Sequence, residues 1–120
     1  MKKTILAVDD SSSVRKFMTL ALKSGGYRVI SAVDGMDALE ILPNEKIDLV
    51  ITDLNMPNVD GFELIKTIRE NTLYTNLPVI ILSSLTDADN IQHGLEMGAN
   101  SYIIKPFNMK KIQEEVSKYI

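Results

Sequence analysis

Five short apolar runs rich in β-branched residues recur along the chain: Thr4–Val8, Arg28–Ala32, Asp48–Thr52, Pro78–Ser83 and Ser101–Ile104. Runs of this length, bounded by Gly, Pro, Asp or Asn, read as buried strands. The segments between them have helical period. Val14, Phe17, Met18 and Ala21 follow the i, i+3, i+4, i+7 spacing of an apolar stripe. Shorter stripes follow at Ala38, Leu39, Ile41 and Leu42, at Phe62, Ile65 and Ile68, and at Ala88, Ile91 and Leu95, with a last one at Met109, Ile112, Val116 and Tyr119. Ser11, Ser12 and Ser13 are placed to cap the first helix, Gly25-Gly26 to end it, and Gly98 to end the fourth. Strict strand–helix alternation with near-continuous apolar strands implies an α/β fold, a doubly wound five-stranded parallel sheet with helices on both faces. The 120 residues suit one such domain, 1–120, with no repeat or linker dividing them.

Composition removes several chemistries. There is no cysteine, which excludes disulfide frameworks, thiolate metal sites and cysteine nucleophiles. His93 is the only histidine, so a multi-histidine zinc site is excluded and a Ser-His-Asp triad is a poor fit. Thirteen Lys and Arg against sixteen Asp and Glu give a net charge of −3, which argues against a nucleic-acid partner. Lys2 and Lys3 precede an apolar stretch that ends at Val8, short of the roughly 7–15 residues of a signal-peptide core. No run approaches the roughly 18 residues of a membrane span. A cytoplasmic protein without membrane insertion is expected.

Right-handed crossovers place the carboxyl ends of all parallel strands on one edge of the sheet, where ligands bind in such folds. The first run leads into Asp9-Asp10, the third into Asp53, the fourth ends in Ser83, and the fifth leads into Lys105-Pro106. The flavodoxin-like strand order 2-1-3-4-5 would make these four strands neighbours. Taken singly, each residue has an ordinary explanation: a cap or turn for the aspartates and Ser83, a solvated surface for Lys105. Their joint occurrence is what points to a site. Three converging carboxylates repel one another and need a counter-charge. All-oxygen ligation by a few carboxylates, a carbonyl and water suits Mg²⁺ better than Ca²⁺. An anion such as a transferring phosphoryl group would fit between the metal and the lysine, against Asp53.

The segments Asp9-Asp10, Asp53-Leu54-Asn55-Met56-Pro57-Asn58-Val59-Asp60-Gly61, Pro78 to Ser84, and Gly98 to Phe107 together resemble the response-regulator receiver domain over essentially the whole chain. The resemblance implies a CheY-like (βα)5 fold and a set of roles. Asp53 corresponds to the phosphoacceptor, loaded from the phosphohistidine of a sensor histidine kinase. Asp10, Asp53 and the backbone carbonyl of Asn55 correspond to direct Mg²⁺ ligands, with Asp9 acting through metal-bound water. Ser83 corresponds to the hydroxyl that bonds the phosphoryl group, Lys105 to the lysine that pairs with the carboxylate and then with that group, and Tyr102 to the aromatic switch residue. The Lys105-Pro106 bond is expected to be cis. The resemblance further implies a downstream protein partner on the face of helix four, strand five and helix five, a monomer, and no turnover of an external substrate. Asn55 and Leu85 fall at positions that vary in the family and tune dephosphorylation, while Gly61 and Pro57 shape the loop after Asp53.

Two other classes fit less well. An FMN or nucleotide binder would need a hydroxyl- and glycine-rich loop after the first strand, where Asp9-Asp10 instead repels phosphate. An aspartate-nucleophile phosphatase would carry its nucleophile after the first strand, beneath a cap insertion. His93, in the middle of helix four, is expected to face solvent. With no output domain anticipated, a chemotaxis-type switch is the leading expectation. A phosphorelay intermediate passing phosphate to another histidine, or a receiver excised from a longer regulator, are the alternatives.

Overall fold

The computed structural model describes residues 2–120, apart from the side chain of Leu85, so the expectation for Leu85 lies outside the described residues. Five strands, β1 (Thr4–Val8), β2 (Arg28–Ala32), β3 (Leu49–Asp53), β4 (Val79–Ser84) and β5 (Ser101–Lys105), alternate with five helices. The helices are α1 (Ser12–Ser24), α2 (Gly35–Ile41), α3 (Gly61–Glu70), α4 (Ala88–Met97) and α5 (Met109–Ser117). All strand pairs are parallel, in the order β2-β1-β3-β4-β5. This is the doubly wound sheet the alternation requires.

Every residue of β1 and β3 is buried, as expected for central strands covered on both faces, whereas the edge strands β2 and β5 are largely half-exposed. Alternate strand residues feed two separate cores. Leu6, Val8, Val50 and Ile81 meet Ala38, Leu64, Ile65 and Ile68 from α2 and α3. Ile5, Ala7, Leu49, Ile51 and Leu82 meet Met18, Leu22, Ile112 and Val116 from α1 and α5. No described helix is long and apolar enough to cross a membrane.

Three strands run one residue beyond their apolar runs. Asp53 pairs with Leu82, and Ser84 with Lys105, so ladder bonding rather than apolarity sets the strand ends. Asp53 and Lys105 are therefore held by the sheet itself and do not begin loops. At the other edge, the Asp48 carboxylate accepts from the Thr4 N–H at 2.8 Å instead of extending β3.

The helix ends follow local chemistry. The Ser11 hydroxyl accepts from the Val14 N–H, Asp34 caps α2, Asp60 caps α3 and Asn108 caps α5. Gly26, at φ +92°, takes the left-handed turn that leads out of α1. The Lys105-Pro106 peptide bond is cis.

Candidate functional site

The carboxyl edge of the sheet gathers the residues named from sequence. Carboxylate oxygens of Asp9, Asp10 and Asp53 lie within 4.8 Å of one another. Asp9 is 0% exposed and Asp53 8%, while Asp10 is exposed to solvent. Burying a carboxylate is costly unless it is paired, and Asp9 is paired twice. Its Oδ1 accepts from the Ser11 N–H at 2.9 Å, and its Oδ2 lies 3.0 Å from the Lys105 ammonium. Arg15 adds a bond from Nη1 to the Asp9 backbone carbonyl at 2.7 Å.

Asp53 is oriented from both sides. Its Oδ1 accepts from the Leu54 N–H at 2.8 Å, and its Oδ2 stands 3.4 Å from Lys105 Nζ. Burial pushes the Asp53 carboxyl above the usual carboxylate range. Lys105 pulls against that shift and the neighbouring Asp9 charge reinforces it. For Lys105, burial acts to lower its pKa, but the Asp9 hydrogen bond and the charges of Asp53 and Asp9 outweigh it and the net shift is upward.

Ser83, 1% exposed near the end of β4, donates its hydroxyl to Asp87 Oδ2 at 2.9 Å. Ser84 donates to the same oxygen at 2.9 Å. Tyr102, on β5, is 44% exposed. Asn55 is exposed in the loop after Asp53. Gly61 closes that loop, its N–H bonded to the Leu54 carbonyl at 3.0 Å. His93 is exposed on α4, its ring 5.2 Å from Phe62.

A hard divalent cation fits this donor set. Three oxygen ligands from the ends of two strands, β1 and β3, face one small volume, and only one described ammonium offsets two buried carboxylates. One ligand is open to water, as suits an ion that retains several waters. Asp9, Asp10, Asp53, Ser83 and Lys105 are thus brought to one edge as the sequence indicates. Tyr102 stands apart, on the edge strand β5 near that strand's start and paired in register with Ile81. Sequence reasoning missed Arg15 and Asp87, whose partners come from other elements. It also missed Asp34 as a cap, although Asp34 followed by Asp37 three residues later is a readable helix-start signal.

A five-stranded α/β fold with acidic strand ends gathered around one lysine defines a class of sites suited to cation-assisted chemistry on an anionic group. The family model for the response regulator receiver domain matches residues 5–117, and the chain belongs to that family. It is 35% identical over 120 residues to sporulation initiation phosphotransferase F of Bacillus subtilis, covering 100% of this chain and 95% of that protein. It is 39% identical over 115 residues to "Probable transcriptional regulator ycf27" of Porphyridium aerugineum, covering 96% of this chain and 47% of that one. The chain thus spans about half the length of the ycf27 relatives. Among solved structures, the chemotaxis response regulator CheY4 of Vibrio cholerae superposes with a TM-score of 0.93 at 33% identity, covering 100% of both chains.

Proposed function

We propose that the chain is a phosphorylation-controlled signalling switch that accepts a phosphoryl group on Asp53 from the phosphohistidine of a sensor kinase. The supporting observation is the opposition of charges at one edge: three carboxylates within 4.8 Å, with Lys105 3.4 Å from Asp53. Asp10, Asp53 and the Asn55 backbone carbonyl would hold Mg²⁺, with Asp9 acting through its bound water. When bound, the ion would offset charge on the phosphoryl oxygens, which is most of what phosphoryl transfer requires.

The residues of the chain supply the rest. The Asp53 carboxylate, fixed by Leu54 N–H and Lys105, attacks phosphorus as the P–N bond breaks. The departing imidazole nitrogen keeps the bonding pair and takes up a proton. Lys105 then shifts its pairing to the new phosphoryl oxygens, and Ser83 donates to them in place of Asp87. Withdrawal of Ser83 opens space into which Tyr102 turns, changing the face made by α4, β5 and α5 that a downstream protein reads. In this reading the chain acts in the cytoplasm as a monomeric chemotaxis-type switch, supported by the full-length match to a chemotaxis regulator. A relay reading draws on the near full-length match to a phosphotransferase. A third reading makes this a receiver from a longer regulator, in line with the ycf27 relatives.

Incubation with Mg²⁺ and a small acyl-phosphate donor, read by intact mass, tests the chemistry. A gain of one phosphoryl group is expected, lost in Asp53→Asn and on chelation; a gain that survives both overturns the assignment. Mixing the phosphorylated chain with a histidine phosphotransfer domain separates the readings. Rapid transfer to histidine favours the relay, and retention with binding to a flagellar motor protein favours the chemotaxis type.

A further inference from the structure

The loop that carries Asn55 hangs between two anchors. At one end β3 stops at Asp53, and at the other the Gly61 N–H bonds the Leu54 carbonyl. Among the described residues, no hydrogen bond involves Asn55, Met56 or Pro57. Met56 is buried in the core shared with α2 and α3, and the second half of the loop, Asn58 and Val59, is held by hydrogen bonds to a neighbouring turn between β2 and α2. The Asn58 amide donates from Nδ2 to Asp34 Oδ2 at 2.6 Å, and the Gly35 N–H donates to the Val59 carbonyl at 2.9 Å. The fit is close, since a Cβ on Gly35 would lie 2.4 Å from that carbonyl oxygen.

Both partners of the side-chain bond are themselves constrained. Asn58 is the one described non-glycine residue with a positive φ, 65°, a conformation that costs less for Asn than for most residues. Asp34 is 7% exposed, and its other oxygen caps α2 by accepting from the Asp37 N–H at 2.8 Å. The acceptor is thus fixed to a helix and the donor to a strained turn, and the bond between them is charge-assisted and short.

We propose that Asp34 and Asn58 form a positioning latch that sets the Asn55 carbonyl relative to Asp10 and Asp53, and so tunes divalent-cation affinity from outside the cation's own ligands. The latch rests on the proposed Mg²⁺ site. Groups that orient metal ligands from behind commonly govern affinity by about 10- to 100-fold. Here the coupling runs through three residues of backbone, so about three- to tenfold is expected.

The test is titration of the intact chain with Mg²⁺ by calorimetry, with thermal melting in chelator alongside. Asn58→Gly keeps the positive φ but removes the amide, and should weaken Mg²⁺ binding about three- to tenfold. Asp34→Asn keeps the helix cap but leaves only a neutral amide–amide bond, formed by turning the Asn58 amide over, and should weaken binding by a smaller factor than Asn58→Gly. The exchange variant Asp34→Asn with Asn58→Asp restores a donor–acceptor pair at unchanged net charge, and should recover affinity. Wild-type affinity in both single variants, or no recovery in the exchange variant, overturns the latch. A change in melting temperature with Mg²⁺ affinity unmoved also overturns it, by making the bond merely structural. If the wild-type chain itself takes up no Mg²⁺, the cation site fails and the latch fails with it.

Discussion

The hydroxyl of Ser83 donates to the Asp87 carboxylate at 2.9 Å, and so points its proton towards the start of α4 instead of towards Asp53. Ser84 donates to the same oxygen, and Ser84 also shares a hydrogen bond with Thr86 at 2.8 Å. These bonds hold the Asp87 carboxyl below the usual carboxylate range, that from Ser83 contributing most. The turn before α4 is therefore tied to the hydroxyl that would contact a phosphoryl group. Forming one bond requires giving up the other.

Removing the competitor should favour the phosphorylated form. Asp87→Ala leaves Ser83 free to donate to a phosphoryl oxygen. A hydrogen bond to a charged group contributes about 1.5 kcal/mol, close to a tenfold factor. With part of that returned by water, the equilibrium ratio of phosphorylated to free chain at a limiting donor should rise about two- to fivefold. Intact mass after equilibration reads it; an unchanged or lower ratio would show that Asp87 does not compete.

Asp53 should cost stability at neutral pH. Its folded pKa is raised above the ordinary 3.8, chiefly by burial. A group raised on folding contributes stability that is full below its unfolded pKa and is lost as pH rises through its folded pKa. In chelator at pH 7, Asp53→Asn should therefore melt about 2–5 °C higher than wild type. The difference should shrink as pH falls through the folded pKa and vanish below 3.8, where the aspartate becomes protonated in both states. Melting curves at several pH values check this, and parallel curves would sink it. Saturating Mg²⁺ should reverse the order, since only the wild type keeps the full ligand set.

Much of this site is legible from spacing alone, for a topological reason. In a parallel sheet, the residue that ends each apolar run lies at the same edge as every other, so Asp9, Asp53, Ser83 and Lys105 can be grouped without coordinates. What spacing cannot show is which loop faces which. Arg15 reaches the Asp9 carbonyl from the first turn and a half of α1, and Asn58 meets Asp34 across 24 residues of sequence. Neither contact leaves a local signature. Glu115 interrupts the apolar face of α5 and is nevertheless buried, because Ser101 on β5 and Lys118 both bond it. Lys118, three residues on, is readable from helical spacing, but Ser101 comes into view only when strand and helix are set side by side.

Lys105 is the counter-charge for a carboxylate with no solvent exposure. Lys105→Met leaves Asp9 with the Ser11 N–H as its remaining side-chain partner. Breaking a fully buried pair costs about 3–5 kcal/mol. The lysine side chain is 27% exposed, so solvent screening reduces the expected loss to about 1–3 kcal/mol at pH 7 in chelator. Mg²⁺ supplies positive charge to the same carboxylates and should return most of that loss. Denaturant unfolding with and without the ion measures both quantities; a variant as stable as wild type in chelator would show Asp9 to be adequately served without the lysine.

Two glycines should respond differently to the same added methyl group. A Cβ at Gly61 would lie 2.2 Å from the Asp53 carbonyl oxygen and 2.7 Å from Leu54 Cα, both backbone atoms of the segment that carries the phosphoacceptor. Neither can yield without moving the end of β3 away from the start of α3. Gly61→Ala should therefore cost about 2–4 kcal/mol and slow phosphorylation of Asp53 even where the variant is fully folded. At Gly26 nothing lies within 4 Å of an added Cβ, and the only penalty is the left-handed φ of +92°. Gly26→Ala should cost about 1–2 kcal/mol through that conformation alone and leave phosphorylation at the wild-type rate, because the turn after α1 lies at the opposite edge of the sheet. Rates from acyl phosphate at saturating Mg²⁺, taken below each variant's melting transition, separate the two; equal slowing in both would mean that lost stability, not displacement of the strand end, governs the reaction.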